Sequence, residues 1–266
     1  MTAKHILYKV ENQIATITMN RPEVHNAFNE DVIKELTEAF IKAGNDKDVR
    51  VVILRGEGKS FSAGGDLNWM RRVADYSYQE NVTDAMLLGT LLKTINFLPK
   101  PTIALVHGNA FGGGVGLASC CDIAIAEEGT QFCLSEVRIG IIPSIILPYV
   151  MAAIGERNAR RYCITAERMD AETAARIGLV HEVVPQGGLD AAADKVIAAL
   201  WDGAPAAQAR GKKLIQEISK KKIDDDLIKL TSEKIAEARA SEEGKEGLSA
   251  FLNKKDPSWR QKKFKP

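Results

Sequence analysis

A chain of 266 residues, 45% of them hydrophobic, is long enough to bury a sizeable core as one large domain with a smaller appendage. Lysine and arginine number 36 against 35 aspartates and glutamates, so a net charge of +1 provides no global field to recruit nucleic acid or an anionic membrane. No run of 18 apolar residues occurs and the N-terminal stretch lacks the apolar region and cleavage site of a secretory leader, which predicts a cytoplasmic protein with no membrane partner.

Residues 5–10 and 13–19 carry β-branched side chains in rough alternation and predict a strand pair, with Glu11-Asn12 as the turn. The segment NEDVIKELTEAFIKAGND then places Val32, Ile33, Leu36, Ala39, Phe40 and Ala43 at helical spacing, with Asn29 as N-cap and Gly44 closing the helix. VRVVILRG at 49–56 is a continuous apolar run that suits a strand buried on both faces. The segment 67–98 reads as helical, and Pro99 and Pro101 separate it from a strand at TIALVHG. A helix starting at Gly112–Ala118, a strand at DIAIA, a short strand at 131–136 (QFCLSE) and helices at 145–163 and 170–177 follow. Strand, helix and strand in repeated succession predict an α/β architecture. Composition shifts around Gly203-Ala204-Pro205, beyond which 206–253 is helix-forming and lysine-rich, so the chain divides into a core at 1–200 and a helical region at 201–266.

Cys120, Cys121, Cys133 and Cys163 lie in apolar stretches without zinc-type spacing, and His5, His25, His107 and His181 are scattered. Buried reduced thiols and no metal site are expected. Asn81-Val82-Thr83 matches a glycosylation sequon by chance in a chain read as cytoplasmic.

Two glycine clusters carry the chemistry. GGGVG at 112–116 fails as a dinucleotide fingerprint because a third glycine from Gly112 is required where Leu117 stands, and neither GxxxxGK[ST] nor GxSxG occurs. A glycine turn between strand and helix serves tight packing in many folds. It also lets backbone approach a ligand, exposes amide N–H groups and aims a helix N-terminus at the same point. SFSAGGDL at 60–67, directly after the buried strand, supplies a second set of amides. Two N–H donors converging on one carbonyl make an oxyanion hole, each contributing about 3 kcal/mol as charge develops on the oxygen. Glu136, in LSEVRIGIIP, is the obvious carboxylate in company with them.

With NRPEVHNA at 20–27, SFSAGGDL, GNAFGGGVGLASCCDIAIA and FCLSEVRIGIIP in this order and spacing, the chain resembles the enoyl-CoA hydratase/isomerase (crotonase) superfamily along essentially its whole length, including GLSAFLNKKDPSW near the end. The resemblance implies a crotonase-like spiral of ββα units, a helical C-terminal region that builds homo-trimers, often paired as hexamers, and coenzyme A thioesters as substrates with no permanently bound cofactor. It places the oxyanion donors at the N–H groups of Ala63 and Gly113. It assigns the CoA channel to Ala27, Ala63, Gly64, Gly65, Asp66 and Leu67, with Phe251 and Lys254 helping to hold the adenine and phosphate end across a subunit boundary, although Lys254 also reads as an ordinary surface lysine. Trp69 and Met70 are candidates to line the acyl pocket or plain core; Asp66 also reads as a turn stabiliser or helix cap; and His107 is read as structural.

In that family the best-known hydratases use two glutamates. One matches Glu136; the other falls at Gly116, so this chain keeps a single acid. Glu136 and Arg138, two apart on a presumed strand, would share a face, either as an ion pair or as a proton shuttle beside a cation. One carboxylate is sufficient for hydration of an enoyl-CoA and equally for moving a double bond as an isomerase. The wording of the motifs is closest to bacterial methylglutaconyl-CoA and isohexenylglutaconyl-CoA hydratases of leucine/isovalerate and acyclic terpenoid breakdown. Their substrates carry a distal carboxylate, for which Arg138, Arg71 and Arg72 are candidate partners. A non-catalytic CoA- or RNA-binding module is the alternative from another class, since one relative in that branch is also described as binding AU-rich RNA. Near-neutral charge argues against nucleic acid, while the lysine runs at 219–222 and 261–265 leave it open.

Overall fold

The computed structural model describes residues 5–261. The chain opens with strands β1 (Ile6–Glu11) and β2 (Ile14–Met19), paired antiparallel across a two-residue turn. The turn is Asn12-Gln13, one residue later than expected, and both adopt left-handed backbone (φ 48° and 66°), the conformation that matches strand twist in a tight hairpin. Helix α1 (Glu30–Asn45) is capped by the Asn29 side chain on the Val32 N–H and buries the expected face, Val32, Ile33, Leu36, Ala39, Phe40 and Ala43. Gly44 does not close it. The glycine lies inside the helix, where a Cβ would come 2.9 Å from Leu98 Cδ1, and α1 ends one residue later.

Next come β3 (Val51–Gly56), α2 (Leu67–Val73) and α3 (Tyr78–Asn96), the last two resolving the mixed segment 67–98 into separate helices. After them run β4 (Thr102–Val106), β5 (Asn109–Phe111), α4 (Gly113–Cys120), β6 (Ile123–Glu127) and β7 (Gln131–Cys133). Then follow a 3-10 turn (Glu136–Ile139), α5 (Leu147–Thr165), β8 (Met169–Asp170), α6 (Ala171–Ile177), β9 (Glu182–Val184) and α7 (Leu189–Asp202). One six-stranded sheet has the order β1-β2-β3-β4-β6-β9, parallel except at the β1–β2 hairpin; a smaller sheet has the order β5-β7-β8. Every residue of β4 is buried, as a continuous apolar run in a covered parallel sheet requires. Phe40, Phe61 and Phe132 are the largest side chains wholly inside the core. None of the four cysteines is in a disulfide, and three of them are buried.

The expected strand at 131–136 is corrected. Pairing with β8 ends at Phe132 and pairing with β5 at Cys133, and Glu136 opens the 3-10 turn, which closes on left-handed Gly140 (φ 79°).

The chain forms two compact units, 1–193 and 194–266, their division falling inside α7 as does the boundary at 200 read from composition. The second unit continues with α8 (Pro205–Ile218), α9 (Asp225–Ala240), α10 (Glu242–Leu252) and α11 (Ser258–Gln261). Within it, Glu243 of α10 accepts the Ala206 and Ala207 N–H groups at 3.0 and 2.8 Å, satisfying donors left open at the start of α8. The lysines of the run at 261–265 lie outside the described residues. No helix among the described residues is long and apolar enough to cross a membrane.

Candidate active site

Two loops are stitched together behind the site. In the first, His25 and Asn26 hold left-handed backbone (φ 52° and 55°), and the buried Asn26 amide donates to the carbonyls of Glu57 and Ser60 at 2.8 and 2.7 Å. In the second, Ser62 Oγ donates to the Asn26 carbonyl and accepts the Gly64 N–H. Arg21 completes the frame, donating to the Ala27 carbonyl at 2.7 Å and to Asp66 Oδ2 at 3.0 Å.

The turn at 62–66 bends at left-handed Gly64 (φ 90°), and the partners of its amides correct one expected donor. The Ser62 N–H goes to the Asn109 carbonyl, the Ala63 N–H to the His25 carbonyl at 2.9 Å, and the Asp66 N–H to Phe28. Ala63 therefore has its donor committed within the protein. Gly65, expected only as part of the CoA channel, is the residue of this turn whose N–H takes no acceptor among the described residues.

The facing turn follows β5. Gly112, at φ 50° and ψ −118°, is the N-cap of α4 in a conformation closed to residues with a Cβ, and its N–H donates to the Cys133 carbonyl. Gly113 is the first residue of α4, a position whose N–H has no intrahelical acceptor, and no other acceptor meets it among the described residues. Both turns depend on close approach. A Cβ at Gly113 would lie 2.7 Å from Phe28 Cζ, one at Gly114 would lie 2.9 Å from the Ser62 carbonyl oxygen, and one at Gly64 would lie 3.0 Å from the Phe111 carbonyl oxygen and 3.9 Å from Gly112 Cα. The unpaired amides of Gly65 and Gly113 thus belong to two touching turns, with the positive end of α4 beside them.

Glu136 stands against this pair of turns. Its Oε1 is 3.0 Å from where a Cβ on Gly112 would be, and its Oε2 is buried without a hydrogen-bond partner. Burial pushes the carboxyl above the ordinary glutamate range, only partly offset by its own backbone N–H. The expected shared face with Arg138 is corrected, because residues two apart in a 3-10 turn diverge. Arg138 Nη2 instead donates to the Ala166 carbonyl at 2.5 Å, and Glu136 makes no ion pair among the described residues. Arg71 is bonded to Asn68, and Arg72 is paired with Glu30.

Asp66 caps α2, accepting from Asn68 and Trp69 while pairing with Arg21. Trp69 and Met70 pack over Gly65, within 3.2 and 2.8 Å of a Cβ placed there, and Trp69 Nε1 donates to Asp84 of α3. Leu67 is exposed, Ala27 is buried, and His107 is bonded to the Gly58 carbonyl, in keeping with a structural part. At Gly116 a Cβ would run into Ile146. Phe251 and Lys254 lie in the second unit, Phe251 exposed and Lys254 with left-handed backbone (φ 54°). Arg21, Asn26, Gly65 as donor and Ile146 were not read from the sequence as parts of the site; the first two stand inside the quoted NRPEVHNA, which was the available signal. No cluster of three or more metal-ligating side chains occurs among the described residues.

The chain matches the family model for Enoyl-CoA hydratase/isomerase over residues 9–262. It is 42% identical to an enoyl-CoA hydratase of Shewanella pealeana whose crystal structure superposes with a TM-score of 0.94, covering 97% of both chains. A Legionella pneumophila protein described as an enoyl-CoA hydratase/isomerase (crotonase) is 45% identical, with a TM-score of 0.90 over 96% of this chain and 98% of that one. The Short-chain-enoyl-CoA hydratase of Clostridium acetobutylicum is 33% identical over 96% of this chain and 97% of its own length.

Proposed function

The chain belongs to the enoyl-CoA hydratase/isomerase family, and on that premise we propose that it hydrates the α,β-double bond of a 3-substituted glutaconyl-CoA. The acyl group is 3-methylglutaconyl or isohexenylglutaconyl, in leucine/isovalerate or acyclic terpenoid breakdown. The thioester oxygen accepts from the N–H groups of Gly65 and Gly113, Glu136 takes a proton from water as the water oxygen bonds to the β-carbon, and the electron pair of the double bond moves into the thioester as an enolate. The proton on Glu136 then passes to the α-carbon and the carbonyl re-forms. One water has been added, and Glu136 returns to its carboxylate.

The observation that carries this reading is the desolvated Glu136 carboxylate facing Gly112, beside two amides that take no protein acceptor. Such donors are most effective where water is excluded. Ala27 and the Ala63–Leu67 stretch accommodate CoA, Phe251 and Lys254 of a neighbouring copy serve its adenine and phosphate end, and Trp69 and Met70 accommodate the acyl group. Arg138 meets the distal carboxylate; the described hydrogen bonds use one of its five N–H donors. Exposed Ile223, Phe251 and Leu252 support assembly of the second unit with other copies, as a trimer or a dimer of trimers in the cytoplasm.

Turnover of a panel of enoyl-CoA thioesters with and without a distal carboxylate tests the substrate. The dicarboxylate thioesters are expected to be preferred, with Arg138→Gln raising their KM about tenfold and leaving monocarboxylic enoyl-CoA unaffected. Equal rates across the panel would remove the glutaconyl assignment. Isomerisation is the second reading, favoured by the absence of a side chain at Gly116. Glu136 then carries a proton between two carbons of the allylic system, and a 3-enoyl-CoA yields a shifted double bond without hydrated product.

A further inference from the structure

Gly116 lies one turn beyond Gly112, its N–H donating to the Gly112 carbonyl at 3.3 Å. Gly112 is the non-helical N-cap, so the two positions are neighbours one turn apart along α4. Glu136 Oε1 covers the first, and the Ile146 side chain covers the second: a Cβ on Gly116 would lie 2.8 Å from Ile146 Cβ and nearer still to Cγ2. A rotamer change moves Cγ2 but leaves the Cβ in place. The backbone there is fixed too, because the Ile146 carbonyl accepts from Tyr149 and Val150 at 3.0 and 3.1 Å as α5 begins. Ile146 is 2% exposed, so the space over Gly116, about one helical pitch (roughly 5 Å) along α4 from the Gly112 that Glu136 Oε1 approaches, is filled with hydrocarbon.

We propose that Ile146 is a positioning residue that makes this a one-carboxylate site: it fills the volume a second acid at 116 would need and keeps water from that flank of Glu136. Gly116 and Ile146 are then a coupled pair, each requiring the other, and the proton route runs through Glu136 alone. The inference rests on Glu136 as the proton-carrying group. The high-lying carboxyl of Glu136 agrees with a dry flank. The other ionisable groups facing this region are Cys133 of β7, Cys163 of α5, and Arg138 and Arg168, which act on Cys133.

The test is kcat/KM against pH, on an enoyl-CoA that the wild type turns over, for Ile146→Val, Ile146→Ala, Gly116→Ala and the Gly116→Ala/Ile146→Ala double variant. Admitting water beside Glu136 lowers its pKa, so Ile146→Ala is expected to move the acid limb down by about half a unit or more, while Ile146→Val leaves it in place. Gly116→Ala is expected to lose about tenfold or more in kcat/KM, most of it restored in the double variant. An unmoved limb in Ile146→Ala, or additive losses in the double variant, overturns the proposal. If Gly116→Ala does not fold, the limb of Ile146→Ala decides alone. Glu136→Gln separates the two layers: normal turnover there removes the reading of Glu136, whereas an inactive Glu136→Gln with an unmoved Ile146→Ala limb removes only the role of Ile146.

Discussion

Glu136 keeps one carboxylate oxygen buried and unpartnered, an arrangement that costs stability whenever the group is charged. Because its folded pKa is raised, the native state binds more protons than the unfolded chain between the ordinary glutamate range and the raised value. Stability therefore falls as pH rises through that window and is level above it. Glu136→Gln is expected to melt higher than wild type at neutral pH, with the difference shrinking toward the acid side of the window. Equal melting temperatures at both ends would show that the carboxylate is solvated. Glu136 was legible in the sequence as a carboxylate in company with the glycine turns, and its Oε1 lies 3.0 Å from a Cβ placed on Gly112. Gly65 was not legible as donor, because which amide of SFSAGGDL stays free depends on which of them meet the carbonyls of Asn109, His25 and Phe28, residues distant in sequence.

At the scale of elements, the junction of β3, α2 and the 25–28 loop holds the amide of Gly65. Burial alone would raise the Asp66 carboxyl, but the N–H groups of Asn68 and Trp69 and the Arg21 guanidinium outweigh it and leave it below its ordinary value. The stability this contributes is complete above the ordinary aspartate range and is lost as pH falls through the lowered value. Asp66→Ala removes the cap of α2 and leaves Arg21 without its carboxylate; because the pair is nearly buried, a loss of about 3 kcal/mol is expected by denaturant unfolding. A loss within a few tenths of a kcal/mol would show that the frame does not depend on the pair. The cap itself was legible, since an acid directly before an apolar helical stretch has few other uses. The 3-10 turn at Glu136–Ile139 was not: QFCLSE alternates like a strand, and the pairing stops at Cys133 because its partner β5 ends at Phe111, where the chain turns at Gly112.

For the molecule as a whole, the strand-and-helix order and the shift to helix past residue 203 were readable because hydrophobic period and glycine or proline punctuation are local signals. The split into a six-stranded and a three-stranded sheet was not, since it depends on which strands meet. The proposed assembly would cover exposed apolar side chains of the second unit, Ile223, Phe251 and Leu252 among them; light scattering is expected to give a trimer or hexamer, and a monomer at micromolar concentration would contradict that proposal. The central claim is that a single carboxylate beside the Gly65 and Gly113 amides carries the proton during hydration. It is tested most directly by the kcat of Glu136→Gln on 3-methylglutaconyl-CoA, with binding of the thioester measured alongside. The account predicts that kcat falls by about 10²- to 10⁴-fold while affinity is retained; turnover within a few-fold of wild type would contradict it.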